Sequence, residues 1–436
     1  MDHKSTYKQH LQVIKDNVTR ILGTCGFESL VIDAGAAGTF FADDAHLPFK
    51  PTPHFAHWCP VTDENHLIHY SPGTKPKLFH VAPQDYWHEH RPLTPDYWTD
   101  DFDVASSPSN ENVWQDLSSL RHVAYIGPNG KKALECGFTP NPTNLIAHMD
   151  WFRAYKSDYE IECMSEANRM AAAGHLAAKR LFLEGATELD IHLGYLHAVG
   201  CEEASLPYRT ITCLDERCAI LHYHAKRRSG KGKTFLIDAG ASYAGYGSDI
   251  SRTWYTGTAH PVYKQLHKGL DRSQKELAAS LRHDTPYVAV HAKAEMDIAS
   301  LLIESGILCR ISGEQAVEKR LVQPFFPHGV GHLLGVQVHD VGGHQLDPSG
   351  AMHPRDERYP NLRTHRKLED QMLVTIEPGI YFIPMLLNKF REGDFATHFN
   401  WGLIDELIPF GGIRIEDDVL VTSSGGRNLT REHIPD

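Results

Sequence analysis

Five short motifs constrain this chain more than anything else in it. Each sets an ionisable side chain at the end of, or inside, an apolar run, where an unpaired charge is expensive to bury. They hold Asp238 in Thr234-Phe-Leu-Ile-Asp-Ala-Gly240, Asp249 in Gly247-Ser-Asp-Ile-Ser-Arg-Thr253, and His332 in His328-Gly-Val-Gly-His-Leu-Leu-Gly335. Glu377 in Val374-Thr-Ile-Glu-Pro-Gly379 and Glu416 in Gly412-Ile-Arg-Ile-Glu-Asp417 complete the set. Four carboxylates converging on one site need strong positive compensation, and two divalent cations supply it. With a bridging hydroxide, four positive charges stand against five negative, the pattern of a two-metal hydrolase.

The rest of the composition narrows the class. A chain of 436 residues exceeds the size at which single cores split, so two domains are expected. With 41% hydrophobic and 22% charged residues it has the material for sizeable cores. A net charge of −12 argues against nucleic acid or anionic membrane as a partner. No apolar stretch approaches the roughly 20 residues that span a bilayer, and the N-terminus lacks an apolar signal region. The eight cysteines form no Cys-x-x-Cys pair and read as reduced thiols, so a cytoplasmic protein is expected.

Periodicity predicts a helix over 10–27, with Leu11, Ile14, Val18 and Leu22 on one face. Extended runs follow at Ser29–Asp33, Leu67–Tyr70, Lys77–Val81 and Val123–Ile126, giving a small α/β domain over 1–150. A long helix is expected from Ser157 to about Leu183, opened by Ser157 or Asp158 as its cap. Further helices fit Glu188–Gly200, His260–Leu281 and Val288–Ser305, interleaved with the motif strands. Residues 151–436 thus form an α+β domain with helices on a curved, mainly antiparallel sheet. The glycine-rich stretch between Asp238 and Asp249 suits a hairpin that sets the two aspartates on neighbouring strands. Strand alternation turns Arg414 and Glu416 to one face, so an arginine suited to gripping a carboxylate shares the cavity with a metal-binding glutamate.

Histidines at i and i+4, as in His328 and His332, can mark a zinc helix. Two intervening glycines and the lack of a glutamate after His328 argue against that here, and the carboxylate-rich donor set favours harder ions such as Mn²⁺, with Co²⁺ or Zn²⁺ as alternatives. His222 and His339 are candidate acid–base or polarising groups, with His224 competing for the role of His222. Among the 29 histidines, His46, His54, His57 and His88 are read as ordinary hydrogen-bonded residues.

At these residues the chain resembles the pita-bread metallopeptidases, which include methionine aminopeptidase, aminopeptidase P and prolidase. The resemblance implies that Asp238, Asp249, His332, Glu377 and Glu416 are the metal ligands, two Mn²⁺ per subunit. It implies that His222, His328 and His339 are the histidines around them, and that Arg414 is the arginine of the proline-specific members. The chain is most similar to bacterial Xaa-Pro dipeptidases, the subgroup that includes organophosphorus acid anhydrolases. Phe41-Ala-Asp-Asp44, Tyr86-Trp-His88, Phe325–His332, Val338–Gly343 and Pro409–Asp417 carry that similarity.

The subgroup implies hydrolysis of dipeptides ending in proline, with catalytic roles for His222, His339 and Glu377. Arg414 and His328 would bind the substrate carboxylate. Tyr287 and Leu362 would line the leaving-group side, and Asp44 and Trp87 would close the site of a partner subunit in a homodimer or dimer of dimers. Phosphotriester hydrolysis is implied as a side activity, against which the bulky Tyr208-Arg-Thr-Ile stretch weighs. Aminopeptidase P, which acts on longer Xaa-Pro peptides, shares every motif and is the competing expectation. An inactive relative serving as a binding protein would have lost ligands, and all five are present here.

Overall fold

The amphipathic stretch at the start of the chain forms a helix, His3–Cys25, that buries Tyr7, Leu11, Ile14, Val18 and Leu22. Each such aliphatic side chain contributes about 2 kcal/mol on burial. The helix ends earlier than the periodicity predicts because Gly26 takes a left-handed conformation (φ 77°) that stops it. The structure is a computed structural model and describes residues 3–87, 89, 91–354 and 356–434.

The chain divides into two units. The first comprises residues up to Glu162 together with Gln345–Met352. Its six-stranded sheet runs in the order Asp103–Ser107, Lys77–Val81, Leu67–Tyr70, Ser29–Asp33, Val123–Ile126, Thr139–Pro140. Leu67–Tyr70 is antiparallel to both neighbours and the remaining pairs are parallel. Val31, Phe79, Trp114 and Tyr125 pack into the core on one side of this sheet. All four extended runs read from the sequence are strands.

The second unit comprises Cys163–His344 and the chain from His353 on. The long helix is Asp158–Glu184. Ser157 is its cap: Glu160 N donates to Ser157 Oγ (3.4 Å) while Ser157 N donates to Glu160 Oε2 (2.8 Å), a reciprocal capping box. Glu188–Val199, Pro261–Ser280 and Tyr287–Glu304 fall within a residue of expectation.

Every strand pair of this unit is antiparallel among the described residues. One sheet orders Ser251–Tyr255, Thr234–Asp238 and Ile211–Leu214, and another orders Leu373–Ile376, Asp417–Thr422 and Gly425–Asn428. Gly379–Tyr381 pairs with Gly412–Arg414. Single bridges, Ser251 to Glu416 and Leu333 to Val374, stitch the motif segments together. No helix among the described residues is long and apolar enough to cross a membrane.

Candidate metal centre

Asp238 ends its strand opposite Ser251, and the connection between the strands is a tight hairpin, Ser242–Tyr243 against Tyr246–Gly247. Ala244 and Gly245 take φ of 49° and 88°, the positive pair that a right-twisted two-residue hairpin needs. Asp249 lies two residues before the second strand rather than within it. Its position is fixed by its own backbone, which donates to Asp418 Oδ2 (3.1 Å). Asn168 Nδ2 holds the same oxygen at 2.7 Å.

The two glycines of the histidine motif have a steric cause. A Cβ on Gly331 would overlap Thr375 O and Tyr287 Oη, so only glycine lets this segment press against the Leu373–Ile376 strand. Thr375 N then donates to His332 O (2.9 Å) and His332 N donates to Thr375 Oγ1 (3.1 Å). His332 Nδ1 donates to Leu333 O (3.0 Å), which turns Nε2 toward Asp249 Oδ2 (3.4 Å) and Glu377 Oε1 (3.7 Å).

Donor atoms of Asp249, His332 and Glu416 all lie within 4.8 Å of one another, and all three residues are buried. Glu377 joins them across His332. Asp238 joins through Arg414, whose Nη2 stands 2.7 Å from Asp238 Oδ2, while Asp238 Oδ1 is buried with no hydrogen-bond partner.

The electrostatics show a site short of positive charge. Burial, then nearby carboxylates, push Glu416 well above the usual carboxylate range. Burial lifts Glu377 to about 7 against the pull of His332 and Arg414. Burial also lowers proton affinity at His332, but Asp249 and Glu377 outweigh it and hold the imidazole at about 8. Converging carboxylates that resist ionising together, with an orphaned carboxylate oxygen beside them, fit divalent cations of oxygen preference.

Around this set runs a chain that alternation only half reveals. Ser251 Oγ donates to Glu416 Oε2 (2.7 Å) and accepts from Arg414 Nε (2.8 Å), so Arg414 and Glu416 do face one side. Arg414 Nη1 donates to Tyr381 Oη (2.9 Å), which stands 2.9 Å from His328 Nε2. His328 Nδ1 donates to Gly329 O (2.8 Å) and lies 3.5 Å from Glu377 Oε2, so the ring accepts from Tyr381 in its neutral form. Burial, then Arg414, hold that ring down at about 3.

Tyr381 is a site residue the sequence reading missed. Its signal was there, since Glu377 and Tyr381 are four residues apart in an extended segment and share a face. Tyr208 was read only as bulk, yet its hydroxyl is packed among Asp238, Asp249 and Glu416, which follow burial in raising its pKa well above the ordinary phenol value.

His339 stacks edge-on against His332, with ring centroids 4.5 Å apart, and burial followed by His332 lowers it to about 4. His222 is exposed and within electrostatic reach of both His328 and His339. His224 sits instead against Thr210 and Arg209, which separates the two histidines. Leu362 is buried under Gly329. Tyr287 is wholly buried, with its hydroxyl donating to Thr375 O (2.8 Å), so it braces the wall behind Glu377 and shows no face to a substrate.

Asp44 and Trp87 lie in exposed loops of the first unit. His54 and His57 stand near Asp150 (3.4 Å) and Glu160 (3.5 Å), and His46 is exposed. His88 lies outside the described residues.

Comparison with known proteins fits this geometry. The profile of metallopeptidase family M24 matches residues 162–423, and that of the Xaa-Pro dipeptidase N-terminal domain matches residues 5–151. Proteins named Xaa-Pro dipeptidase from Salmonella newport and Salmonella dublin are 40% identical over 433 residues, 98% of both chains. Among solved structures, Escherichia coli aminopeptidase P with the inhibitor Pro-Leu superposes with a TM-score of 0.75 at 20% identity, covering 99% of this chain and 96% of that one. Proline aminopeptidase P II from Yersinia pestis gives 0.74 at 21% identity, covering 99% and 97%. These structural likenesses establish the fold: a pita-bread larger unit, preceded in the chain by an α/β domain. With the family profile spanning all five clustered side chains and relatives aligned from end to end, the chain belongs to metallopeptidase family M24, among its bacterial Xaa-Pro dipeptidases.

Proposed function

We propose that the protein hydrolyses the imide bond of Xaa-Pro dipeptides, using two divalent cations. The observation that carries this reading is Arg414, a buried guanidinium set against the carboxylate cluster. It uses three of its five N–H groups on Ser251, Tyr381 and Asp238, leaving two to grip a substrate carboxylate. The naming of relatives at 40% identity supports the same substrate class.

Asp238, Asp249, His332, Glu377 and Glu416 would hold the ions. Such ions, with Mn²⁺ the first choice and Co²⁺ or Zn²⁺ as alternatives, would acidify a water and polarise the scissile carbonyl. The chain supplies the remainder. Arg414 holds the C-terminal carboxylate of proline and so limits the substrate to dipeptides. His328, expected from the sequence to share that role, is neutral with its one N–H on Gly329 O; it instead accepts from Tyr381 and so positions the guanidinium. His222 and His339 donate toward the carbonyl oxygen as charge builds there. Glu377, between His332 and His328, carries a proton to the proline nitrogen. Leu362 lies on the proline side, and Tyr287 holds that wall in place.

The reading extends to a cytoplasmic homodimer or dimer of dimers, in which Asp44 and Trp87 close a partner's site. Phe41 and Trp87, 101% and 76% exposed, support a covering surface. Light scattering that returns a monomer mass would remove that element. Slow hydrolysis of P–F and P–O phosphotriesters belongs to the proposal as a side activity, since the same nucleophile attacks phosphorus. Absence of fluoride release from a fluorophosphate, with Leu-Pro cleavage intact, would exclude it.

The central test is hydrolysis of Leu-Pro and Gly-Pro beside Leu-Pro-Gly by chelator-stripped protein, with and without Mn²⁺. Manganese-dependent cleavage confined to the dipeptides is expected. Cleavage of the tripeptide would overturn the dipeptide restriction, and full activity of Glu416→Ala would overturn the metal assignment.

A further inference from the structure

Arg431 belongs neither to the carboxylate cluster nor to the substrate clamp, yet its hydrogen bonds lead to residues that flank two of the five clustered ligands. Its Nε donates to Asp417 Oδ2 (2.8 Å), and its Nη2 donates to Asp271 Oδ1 (2.8 Å) and Gln274 Oε1 (3.1 Å). Asp417 directly follows Glu416. Ile376, which faces Asp417 across the antiparallel strand pair, directly precedes Glu377.

The first branch ends on Glu416. Asp417 is wholly buried and both its oxygens are held. Oδ1 accepts from Arg252 Nη2 (2.6 Å), and Oδ2 accepts from Asn428 Nδ2 (2.7 Å) besides Arg431. Arg252 Nη1 donates in turn to Glu416 O (2.8 Å). The carboxylate therefore stands between two guanidinium groups, one fastened to the backbone of a ligand and the other to the helix Pro261–Ser280. A buried charge set between partners in this way is left uncompensated when one of them is removed.

The second branch ends beside Glu377. Gln274 is wholly buried on the helix Pro261–Ser280, and its Nε2 donates to Ile376 O (3.1 Å). A guanidinium can only donate, so Arg431 fixes the amide with its oxygen toward itself and its NH₂ toward Ile376 O. Thr430, the preceding residue, accepts from Asp418 N (2.9 Å), and Asp418 holds Asp249 N, so the same segment also reaches a third ligand.

Fastening this segment to the helix would need only Asp271, the least buried of the three partners, which already has Lys275 Nζ 2.9 Å from its other oxygen. Asp417 and Gln274 lie deeper, and each is bonded to a group that touches the backbone at a ligand. The planar fork of arginine spans both directions, whereas the single nitrogen of lysine cannot.

We infer that Arg431 is a positioning residue for the metal centre, setting through Asp417 and Gln274 the strand pair that carries Glu416 and Glu377. The inference rests on the metal centre of the proposed function and not on its substrate.

Equilibrium dialysis of the full-length protein against radiolabelled Mn²⁺ tests it in wild type, Arg431→Lys and Gln274→Met, with urea unfolding of each metal-free protein measured separately. Affinity for Mn²⁺ is expected to fall about tenfold in each variant, the lower end of what residues orienting ligands from outside contribute. At saturating Mn²⁺ the loss with Leu-Pro should fall on kcat, with KM near the wild-type value, because Arg414 keeps its bonds to Ser251 and Tyr381. A merely structural arginine would lower the urea midpoint and leave the Mn²⁺ affinity of the folded protein unmoved. Unchanged affinity in either folded variant, whatever its stability, would overturn the inference, and if one variant does not fold the other decides it. Wild-type protein that binds Mn²⁺ yet leaves Leu-Pro intact would end the dipeptidase reading alone, with the affinities still deciding the role of Arg431. Wild-type protein that binds no divalent cation would end both.

Discussion

Arg414 Nη2 stands 2.7 Å from Asp238 Oδ2, so the residue assigned to substrate is tied directly to one assigned to metal. Both groups are largely buried, and such a pair is destabilising when one member is removed, since the other is left uncompensated. Arg414→Ala is therefore expected to lower the unfolding free energy of the metal-free protein by about 3 kcal/mol. The loss should shrink when Mn²⁺ is added, because the cation replaces the lost charge beside Asp238. Urea unfolding with and without Mn²⁺ reads this; equal losses in both conditions would contradict it.

Tyr381 links that arginine to His328. In Tyr381→Phe the ring keeps its packing but the hydroxyl between the two groups is gone, at a cost of about 1 kcal/mol in stability. The larger effect is expected in KM for Leu-Pro, raised by about tenfold with kcat less affected, because the carboxylate-binding guanidinium loses the hydroxyl that aligns it. A steady-state split that fell on kcat alone would place Tyr381 in the chemistry instead.

Metal uptake is expected to release protons. Glu377 and His332, at about 7 and 8, are partly protonated near neutral pH, and Glu416 lies well above its ordinary value. All three must lose protons to become ligands, so affinity for Mn²⁺ should rise with pH from about 6 to 8. Calorimetric titration near pH 6.5 in two buffers of different ionisation enthalpy measures the proton count. A heat independent of buffer would show that the carboxylates are already ionised.

Gly331→Ala places a methyl group against Thr375 O and Tyr287 Oη. Neither can retreat easily, one being strand backbone and the other a fully buried ring. A loss of about 2–3 kcal/mol is expected, with impaired Mn²⁺ binding because His332 is the next residue. Thermal unfolding and metal titration of the variant test both parts; wild-type values would mean the strand yields at no cost.

Acid should destabilise the fold through buried neutral histidines. Burial lowers His175 to about 3 and His10 to about 4. A histidine depressed in the folded state takes up its proton more readily when unfolded, so the unfolded chain gains as pH falls below about 6.5. Stability should therefore drop steadily between about pH 6.5 and 4, and a flat unfolding midpoint over that range would refute it. His175→Gln should lessen the slope.

Much of the fold was legible. Periodicity located the long helices within a few residues, because apolar spacing and capping are local properties of the chain. Ser157 could be told from Asp158 as cap only once Glu160 was seen to return the bond. The hairpin between Asp238 and Asp249 was visible in its glycines, whereas the two-residue offset of Asp249 from its strand depends on Asp418, far along the sequence.

The candidate site divides in the same way. By itself the sequence determined which side chains must be compensated together, because a carboxylate in an apolar run has few ways to be buried. Arg414 and Glu416 were also readable as one face, since alternation along an extended strand is geometric. Only the tertiary structure decided that Arg414 meets Asp238, that Tyr381 joins it to His328, and that Tyr287 braces a wall instead of facing a ligand. Those contacts join residues tens to hundreds of positions apart, and their energy depends on burial and direction, which local pattern does not carry.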